Sequence, residues 1–212
     1  MNEVSGEVVD FRGALEEFEK AWNHPSYTPF ELPAVPVNSV LAKKYTTDAP
    51  LRLTRKLVWD MELKKSWDPA TFIPYVVSEG KSWGRHNLQA GAEHFFRSSS
   101  QLGWINGDRG TVLEEVFVDH GGQRILFLGR DHFDDESGHR LKARDFQPLF
   151  HVEHAVGGSA DEPLNLWRIV ILTQGKDDRY TEPFKEMVRQ GLLPGFLEVY
   201  IERELNRKLT RK

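Results

Sequence analysis

Alternation of apolar and polar positions predicts the centre of a sheet between residues 148 and 174. In the run 150–156 the even-numbered positions are apolar except for His154, and the run 166–173 is apolar apart from Arg168 and Thr173. A Gly-Gly-Ser turn and a proline-bearing loop separate the two runs. Two such runs joined by Gly, Ser, Asp and Pro are typical of a β-hairpin.

A longer alternation covers residues 51–63. Its apolar members share one parity, whereas Arg52, Thr54, Lys56, Asp60 and Glu62 occupy the other. The apolar members are Leu51, Leu53, Leu57, Trp59, Met61 and Leu63. This pattern predicts a long strand with one buried face.

The remaining periodicities predict short elements on either side. Three- and four-residue spacing or capping residues predict helices at 12–22, 38–45 and 68–76, and a closing helix in two pieces, 178–190 and 196–209, interrupted at 191–195. Alternation and glycine turns predict strands at 92–100, 111–120, 124–130 and 141–143. Residues 1–10 are expected to be loose, 26–37 to be a proline-rich strap across the surface, and 82–89 to be a loop.

An antiparallel sheet with a helix on one face belongs to the α+β class. The order of elements resembles the helix-grip fold of the START and Bet v1-like superfamily, which includes polyketide cyclases. Four features over residues 51–207 carry the resemblance: the predicted strand at 51–63, the insert 67–76 with its Trp-Asp-Pro start, the run of hairpins, and the terminal helix. The resemblance implies a curved antiparallel sheet wrapped around a C-terminal helix, with an NTF2-like cone as the alternative. It divides the chain into an N-terminal helix and strap (residues 1–50), packed on a ligand-binding domain (residues 51–212).

Composition narrows the classes of function. The chain has 212 residues, a formal charge of −4 and no cysteine. An acidic balance argues against nucleic-acid binding, and the lack of cysteine removes disulfides, zinc-thiolate sites and cysteine nucleophiles. No apolar run approaches the ~20 residues of a membrane span, and the N-terminus lacks a signal-peptide pattern. A cytoplasmic protein is therefore expected.

Polar residues on apolar strand faces are the candidates for chemistry. His154 shares its side with apolar neighbours, and an imidazole there suits proton transfer. The alternative is a core histidine bonded to a backbone carbonyl. Arg168 could hold a substrate carboxylate or enolate, or it could pair with Glu153 or Glu115 across the sheet.

The predicted strand 111–120 contains two adjacent carboxylates, Glu114 and Glu115, and either of them could be the buried one. Glu114 and Glu115 point to opposite faces, so one of them must turn inward if either side is dry. Burial would raise the pKa of such a carboxyl group, which is the setting of a general acid or base. The alternative is that one face of this strand is exposed to solvent, so that the carboxylate on that face is hydrated. Glu114 is taken as the catalytic candidate.

Strand geometry argues against a metal site in the segment 151–154, His-Val-Glu-His. On a strand His151 and Glu153 point one way and His154 the other, so the three cannot meet at one ion without a bulge. His94, His120 and His132 are candidate ligands from neighbouring strands. No phosphate-binding glycine loop and no Gly-x-Ser-x-Gly elbow is present. The sequence thus predicts neither a metal nor a cofactor.

These observations lead to three hypotheses. The first is an enzyme that cyclises, dehydrates or isomerises a hydrophobic oxygenated metabolite, polyketide- or terpenoid-like, with His154, Arg168 and Glu114 as catalytic residues. Its cavity would be shaped by aromatic residues, namely Trp59, Trp67, Tyr75, Phe150 and Trp167. The second is a carrier that holds the same small hydrophobic molecule unchanged. The third is an interaction module whose N-terminal helix and strap cover the cavity or dock on a partner, and a homodimer is left open.

Overall fold

A computed structural model describes residues 10–212. The helices are α1 (Phe11–Trp22), α2 (Val37–Lys44), α3 (Arg55–Trp67), α4 (Pro69–Phe72), α5 (Glu182–Gln190) and α6 (Gly195–Arg203), with 3-10 turns at Gln89–Gly91 and Asp178–Thr181. The strands are β1 (Thr28–Pro36), β2 (Tyr45–Thr47), β3 (Val77–Asn87), β4 (Ala92–Leu102), β5 (Arg109–Asp119), β6 (Arg124–Arg130), β7 (His132–Asp134), β8 (Arg140–Lys142), β9 (Phe150–Gly158), β10 (Pro163–Ile171) and β11 (Leu209–Arg211).

Seven of the strands form one antiparallel sheet in the order β1-β10-β9-β6-β5-β4-β3. The hairpin predicted over residues 148–174 is β9 and β10, and it lies next to the edge strand β1. Two smaller pairs, β2 with β11 and β7 with β8, stand outside this sheet.

Both faces of the main sheet are covered. The inner face packs against α3, α5 and α6, with Val116, Val152 and Ile169 in its core. The outer face packs against α1 through a second cluster that includes Phe18 and Leu126. Because strand side chains alternate, neighbouring residues of one strand belong to different cores.

Helix α1 is where the sequence predicts it, and its burial explains why it forms. Asp10 caps it by accepting a hydrogen bond from the backbone N–H of Gly13 at 2.7 Å. Its apolar stripe, Ala14, Phe18 and Ala21, is buried against the outer face. The prediction for residues 1–10 lies outside the described residues, apart from this cap.

The long strand predicted at residues 51–63 is wrong, because residues 55–67 form helix α3. Thr54 caps it by accepting from the N–H of Leu57 at 3.3 Å. The buried positions follow a helical period: Val58, Trp59, Met61, Glu62, Lys65 and Ser66. Two of these buried residues, Glu62 and Lys65, are charged. When the apolar residues are considered without them, the apolar positions alternate as they do in a strand.

Two segments predicted to lack regular structure are edge strands. The proline-rich segment is β1, whose prolines are tolerated because one side of an edge strand donates no sheet hydrogen bonds. The predicted loop at 82–89 belongs to β3, the opposite edge, where only Val77 and Trp83 are buried. An edge strand with so little burial shows no apolar alternation. The division of the chain at residue 50 stays a prediction, although β1, on its N-terminal side, is a strand of the main sheet.

The closing helix is in two pieces, as predicted. Gly191 ends α5 with φ +59°, a left-handed conformation that favours glycine. Helix α6 ends at Arg203, earlier than predicted, and the chain then returns as β11 to pair with β2.

The predicted α+β class and helix-grip arrangement are confirmed: the antiparallel sheet holds the closing helices on its inner face. Within residues 10–212 no helix combines the length and apolar character that crossing a bilayer requires.

Candidate functional site

A cavity of about 740 Å³ lies between the inner face of the sheet and helices α5 and α6. Phe127, Phe150, Val152, Trp167 and Ile169 contribute the sheet side of its wall. The helical side comes from α5, the connection 191–194 and α6. A mostly apolar hollow of this size is what a small-molecule site requires.

The mouth of the cavity is marked by exposed apolar side chains. Tyr75 and Val188 line it and are 50% and 38% exposed. Tyr75 packs on the start of α6, where a Cβ at Gly195 would come within 2.7 Å of its ring. The connection between α5 and α6 is also tied to the body, because Leu193 N donates to the Tyr45 hydroxyl at 3.0 Å.

His154 lies in the cavity wall and is 5% exposed. Its ring stacks on Trp167, with centroids 5.0 Å apart and an interplanar angle of 26°. The rings of Phe127 and Phe196 meet it edge-on at 5.7 and 5.8 Å. Aromatic contact on three sides fixes the plane of the imidazole.

A buried ion pair of α3, Lys65 with Glu62, contacts the imidazole of His154. Lys65 Nζ lies 2.8 Å from His154 Nδ1 and 2.5 Å from Glu62 Oε2. Asn165 Nδ2 donates to the other oxygen of Glu62 at 2.7 Å. Both charged side chains are almost fully buried, and they lie three residues apart on one face of α3.

Burial and pairing set the charge states of this group. Burial lowers the pKa of His154 to about 4, and the nearby Lys65 lowers it further, while Glu62 opposes the shift. Burial also lowers the pKa of Lys65, to about 8, against the attraction of Glu62. For Glu62, burial would raise the pKa, but Lys65 and His154 hold it well below its usual range. At neutral pH the site therefore has a neutral imidazole beside a charged pair.

A second buried ion pair lines the same cavity. Arg97 Nε of β4 donates to Glu114 Oε2 of β5 at 2.8 Å, and Arg97 Nη2 lies 2.6 Å from the same oxygen. Its Nη1 donates to the carbonyl of Ser66 at 3.0 Å, and its guanidinium lies 4.5 Å from the centroid of Phe127. Glu114 is thus the inward carboxylate of the pair 114 and 115, and it faces the cavity with Arg97 as its partner.

Arg168 does not line the cavity, which corrects its predicted placement beside His154. It points to the outer face, where its Nη2 donates to Glu19 at 2.6 Å and its Nε to Glu153. The guanidinium also lies over the rings of Phe18 and Trp22 of α1. The alternative ion pair with Glu153 is what the structure shows.

The five aromatic residues predicted to bind substrate divide into two groups. Tyr75, Phe150 and Trp167 line the cavity. Trp59 and Trp67 do not, because α3 is a helix and turns them elsewhere. Trp59 meets His120 edge-on at 5.9 Å, and Trp67 packs on Phe95.

Lys65, Glu62 and Arg97 are functional candidates that the sequence pattern alone did not reveal. The first two escaped because residues 51–63 were interpreted as a strand, in which Glu62 faces solvent. A helical reading places Val58, Glu62 and Lys65 on one stripe, which was the available signal. Arg97 shares parity with the buried Phe95 in β4, and that pattern was visible in the sequence.

The histidines considered as metal ligands are dispersed. His151 lies on the outer face, 3.6 Å from Glu17, and His154 lies on the inner face, as strand alternation predicts. His94 and His120 lie near Glu115 and Glu93 respectively. Within residues 10–212 no three potential ligands converge on one point.

Comparison with known proteins finds similarity only among solved structures. No family model matches the chain, and no curated protein sequence matches it significantly. One similar structure is the Zhui aromatase/cyclase from Streptomyces sp. R1128, at 12% identity and a TM-score of 0.44, covering 74% of this chain and 92% of that one.

Two further similar structures have other printed names. Ginseng major latex-like protein 151 from Panax ginseng has 12% identity and a TM-score of 0.41, covering 77% of this chain and 95% of that one. The di-domain ARO/CYC StfQ from the steffimycin biosynthetic pathway has 8% identity and a TM-score of 0.42, covering 87% of this chain and 52% of that one. The predicted resemblance is confirmed as a resemblance of fold, which rests on the strand order and helix placement of this chain.

Proposed function

We propose that this protein binds a hydrophobic, oxygen-bearing small molecule in its cavity and catalyses proton transfer on it through His154. The net reaction would be a cyclisation, dehydration or isomerisation. The observation that carries the proposal is a neutral imidazole in the wall of a large, mostly apolar cavity. Such a group can donate a hydrogen bond or a proton to an oxygen that becomes negative, in a medium that strengthens the interaction.

Arg97 takes the place in this scheme that the sequence assigned to Arg168. Its guanidinium lines the cavity and is held by Glu114, so it offers fixed positive charge toward an oxygen that becomes negative during reaction. In this scheme Glu114, predicted as a catalytic residue, is a positioning residue, because it acts by orienting Arg97. The aromatic wall, including Phe150 and Trp167, would hold the apolar part of the ligand.

The proposal is tested by hydrogen–deuterium exchange at carbon next to a carbonyl group. Wild-type protein is incubated with 2-acetonaphthone in D₂O, and deuterium in the methyl group is followed by mass spectrometry. The wild type should accelerate exchange above buffer, and His154→Asn should lose about 10²-fold of that rate, the usual contribution of a positioned acid–base group. His151→Asn is the matched control, since that histidine lies on the outer face of the same strand.

A carrier function is the second candidate, and one observation favours it. The charged side chains of the inner wall already have partners, as in the pairs Lys65–Glu62 and Arg97–Glu114. A carrier would retain the ketone in native mass spectrometry without accelerating exchange. Exchange that continues unchanged in His154→Asn would contradict the enzymatic proposal.

A further inference from the structure

The contact between Lys65 and His154 determines where the imidazole carries its proton. An ammonium group has three donors and no acceptor. Two groups face His154 Nδ1: the donor Lys65 Nζ at 2.8 Å and the acceptor Glu62 Oε2 at 3.4 Å. Because the donor is the nearer of the two, that ring nitrogen presents its lone pair to Lys65. In a neutral imidazole the proton then resides on Nε2. Among the described residues, nothing forms a hydrogen bond with Nε2.

Lys65 is itself held so that this arrangement persists. Nζ lies 2.5 Å from Glu62 Oε2 in an ion pair and 3.9 Å from the centroid of the Phe196 ring. Asn165 fixes the other oxygen of Glu62. Together with the hydrogen bond to His154, these contacts surround the ammonium group and restrict its position.

The charges around the cavity cancel in pairs. Among the described residues, the charged lining groups and their partners are three cations and three anions: Lys65 with Glu62 at 2.5 Å, Arg97 with Glu114 at 2.6 Å, and Arg211 with Glu198 at 2.7 Å. A carboxylate ligand would enter this low-dielectric space without an unpaired cation to meet it. An uncharged ligand incurs no such cost.

We infer that Lys65 is a positioning residue that fixes His154 as a hydrogen-bond donor at Nε2, and that the site recognises the acceptor oxygen of an uncharged ligand such as a ketone or enone. This inference deepens the proposed function and rests on it for the ligand. The tautomer itself is a property of the unliganded protein and is independent of any reaction. In the proposed chemistry His154 donates an Nε2 hydrogen bond to the carbonyl oxygen as that oxygen becomes negative, a water molecule takes the carbon-bound proton, and a solvent deuteron then adds to the carbon.

The tautomer is read directly by long-range ¹H–¹⁵N correlation of protein labelled at the imidazole nitrogens, at neutral pH. The His154 signals are assigned by their absence from His154→Asn. The wild type should show the pattern of Nε2 protonation, and Lys65→Arg should keep it because arginine is also only a donor. A wild-type pattern of Nδ1 protonation, or an equal mixture, would overturn the inference.

Without the Lys65 ammonium group, the proton of His154 should no longer be confined to Nε2. Lys65→Met alone leaves Glu62 buried and unpaired, so the double variant Glu62→Gln, Lys65→Met is the safer protein. It should show a mixture of tautomers at His154, whereas Lys64→Met on the exposed side of the same helix should match the wild type. An unchanged Nε2 pattern in the double variant would remove the positioning role from Lys65.

Ligand class is tested with three naphthalenes of similar shape, measured by displacement of a hydrophobic dye from the cavity. The ketone 2-acetonaphthone should bind about tenfold more tightly than 2-isopropenylnaphthalene, which lacks the acceptor, and than 2-naphthoate, which is charged. His154→Phe should abolish the preference for the ketone over the hydrocarbon. Equal affinity for ketone and hydrocarbon, or a preference for the carboxylate, would overturn the ligand assignment.

The proposed function, the ligand assignment and the tautomer can be disproved separately. If none of the three compounds binds, the proposed function and the ligand assignment fall together, while the tautomer result still stands or falls by itself. If the ketone binds with the expected preference but no exchange is accelerated, the inference stands and the protein is a carrier.

Discussion

The inner and outer faces of the main sheet contain the same kinds of side chain in different surroundings. On the inner face His154, Arg97 and Glu114 border an open cavity. On the outer face His151, Arg130 and Glu115 lie under α1, where Arg130 binds both Glu115, at 2.6 Å, and Glu17 of the helix. One face leaves space beside its polar groups, and the other fills that space with a helix.

The comparison shows that parity assigns a residue to a face, whereas the covering element decides what the residue does there. Trp167 and Arg168 are neighbours, yet the first lines the cavity and the second fastens α1 to the sheet. A guanidinium alone is therefore poor evidence of a site. A guanidinium beside unfilled volume is better evidence.

The largest loss of stability is expected when the buried Lys65–Glu62 pair of the inner face is broken. Lys65→Met should lower the free energy of unfolding by about 3–5 kcal/mol, because it leaves the Glu62 charge uncompensated in a dry interior. Urea unfolding followed by far-UV circular dichroism measures this. Lys64→Met, whose side chain is 40% exposed, should cost no more than about 1 kcal/mol.

Addition of Glu62→Gln to Lys65→Met should recover most of that loss, since no buried charge then remains unpaired. If Lys65→Met were as stable as Lys64→Met, the buried pair would contribute little and the comparison of faces would lose its main support.

Both faces should contribute to loss of stability in acid through their buried histidines. Burial lowers the pKa of His154 and of His151 to about 4 from an ordinary 6.5, and in each case a nearby carboxylate, Glu62 or Glu17, opposes the shift while a nearby cation, Lys65 or Arg130, assists it. Between pH 6.5 and 4 the unfolded chain binds protons that the folded chain does not, so stability falls as pH falls. Each histidine should account for up to about 3 kcal/mol over that range.

The measurement is the unfolding free energy of the wild type and of each His→Asn variant at intervals across this pH range. Each variant should have a shallower slope than the wild type. A variant with the wild-type slope would show that its histidine titrates normally in the folded protein.

The ion pairs that attach α1 to the outer face should contribute less to the free energy of unfolding than the buried histidines do. Arg168→Met should lower the unfolding free energy by about 1–2 kcal/mol, because it removes partly buried charge-assisted hydrogen bonds to Glu19 and Glu153. Affinity for 2-acetonaphthone should not change, since Arg168 does not reach the cavity. Arg97→Met, its inner-face counterpart, should weaken that affinity, and equal effects of the two variants on binding would contradict the assignment of faces.

The smallest effect on stability is expected at the mouth of the cavity. Val188→Asp should change the unfolding free energy by no more than about 0.5 kcal/mol, because the side chain is 38% exposed. It should nevertheless weaken binding of the apolar naphthalenes by placing a charge on their path. Tight binding in this variant, measured by the same dye displacement, would show that ligands use another opening.

Much of the sheet was predictable because its strands satisfy a local rule. In β9 and β10 apolar residues alternate with polar ones or run without interruption, and glycine turns separate them. Helix α1 shows its apolar residues at helical spacing after a capping Asp10. These signals depend only on neighbours in the sequence, as does the predicted face of His154, whereas the sequence left open which of Glu114 and Glu115 turns inward.

Other elements were not predictable by that rule. The edge strands β1 and β3 are too exposed to alternate, and α3 buries two charged residues in its stripe. The cytoplasmic location, the homodimer and the lack of a nucleic-acid partner stay predictions.

The sequence by itself determined the class of the fold, the hairpins, the two-part closing helix and the side of the strand on which His154 stands. The tertiary structure alone decided that Lys65 and Glu62 stand behind His154, that Arg97 faces the cavity with Glu114, and that Arg168 fastens α1. The physical reason is that strand and helix periods are properties of consecutive residues, whereas a site depends on which distant elements meet and on the space left between them.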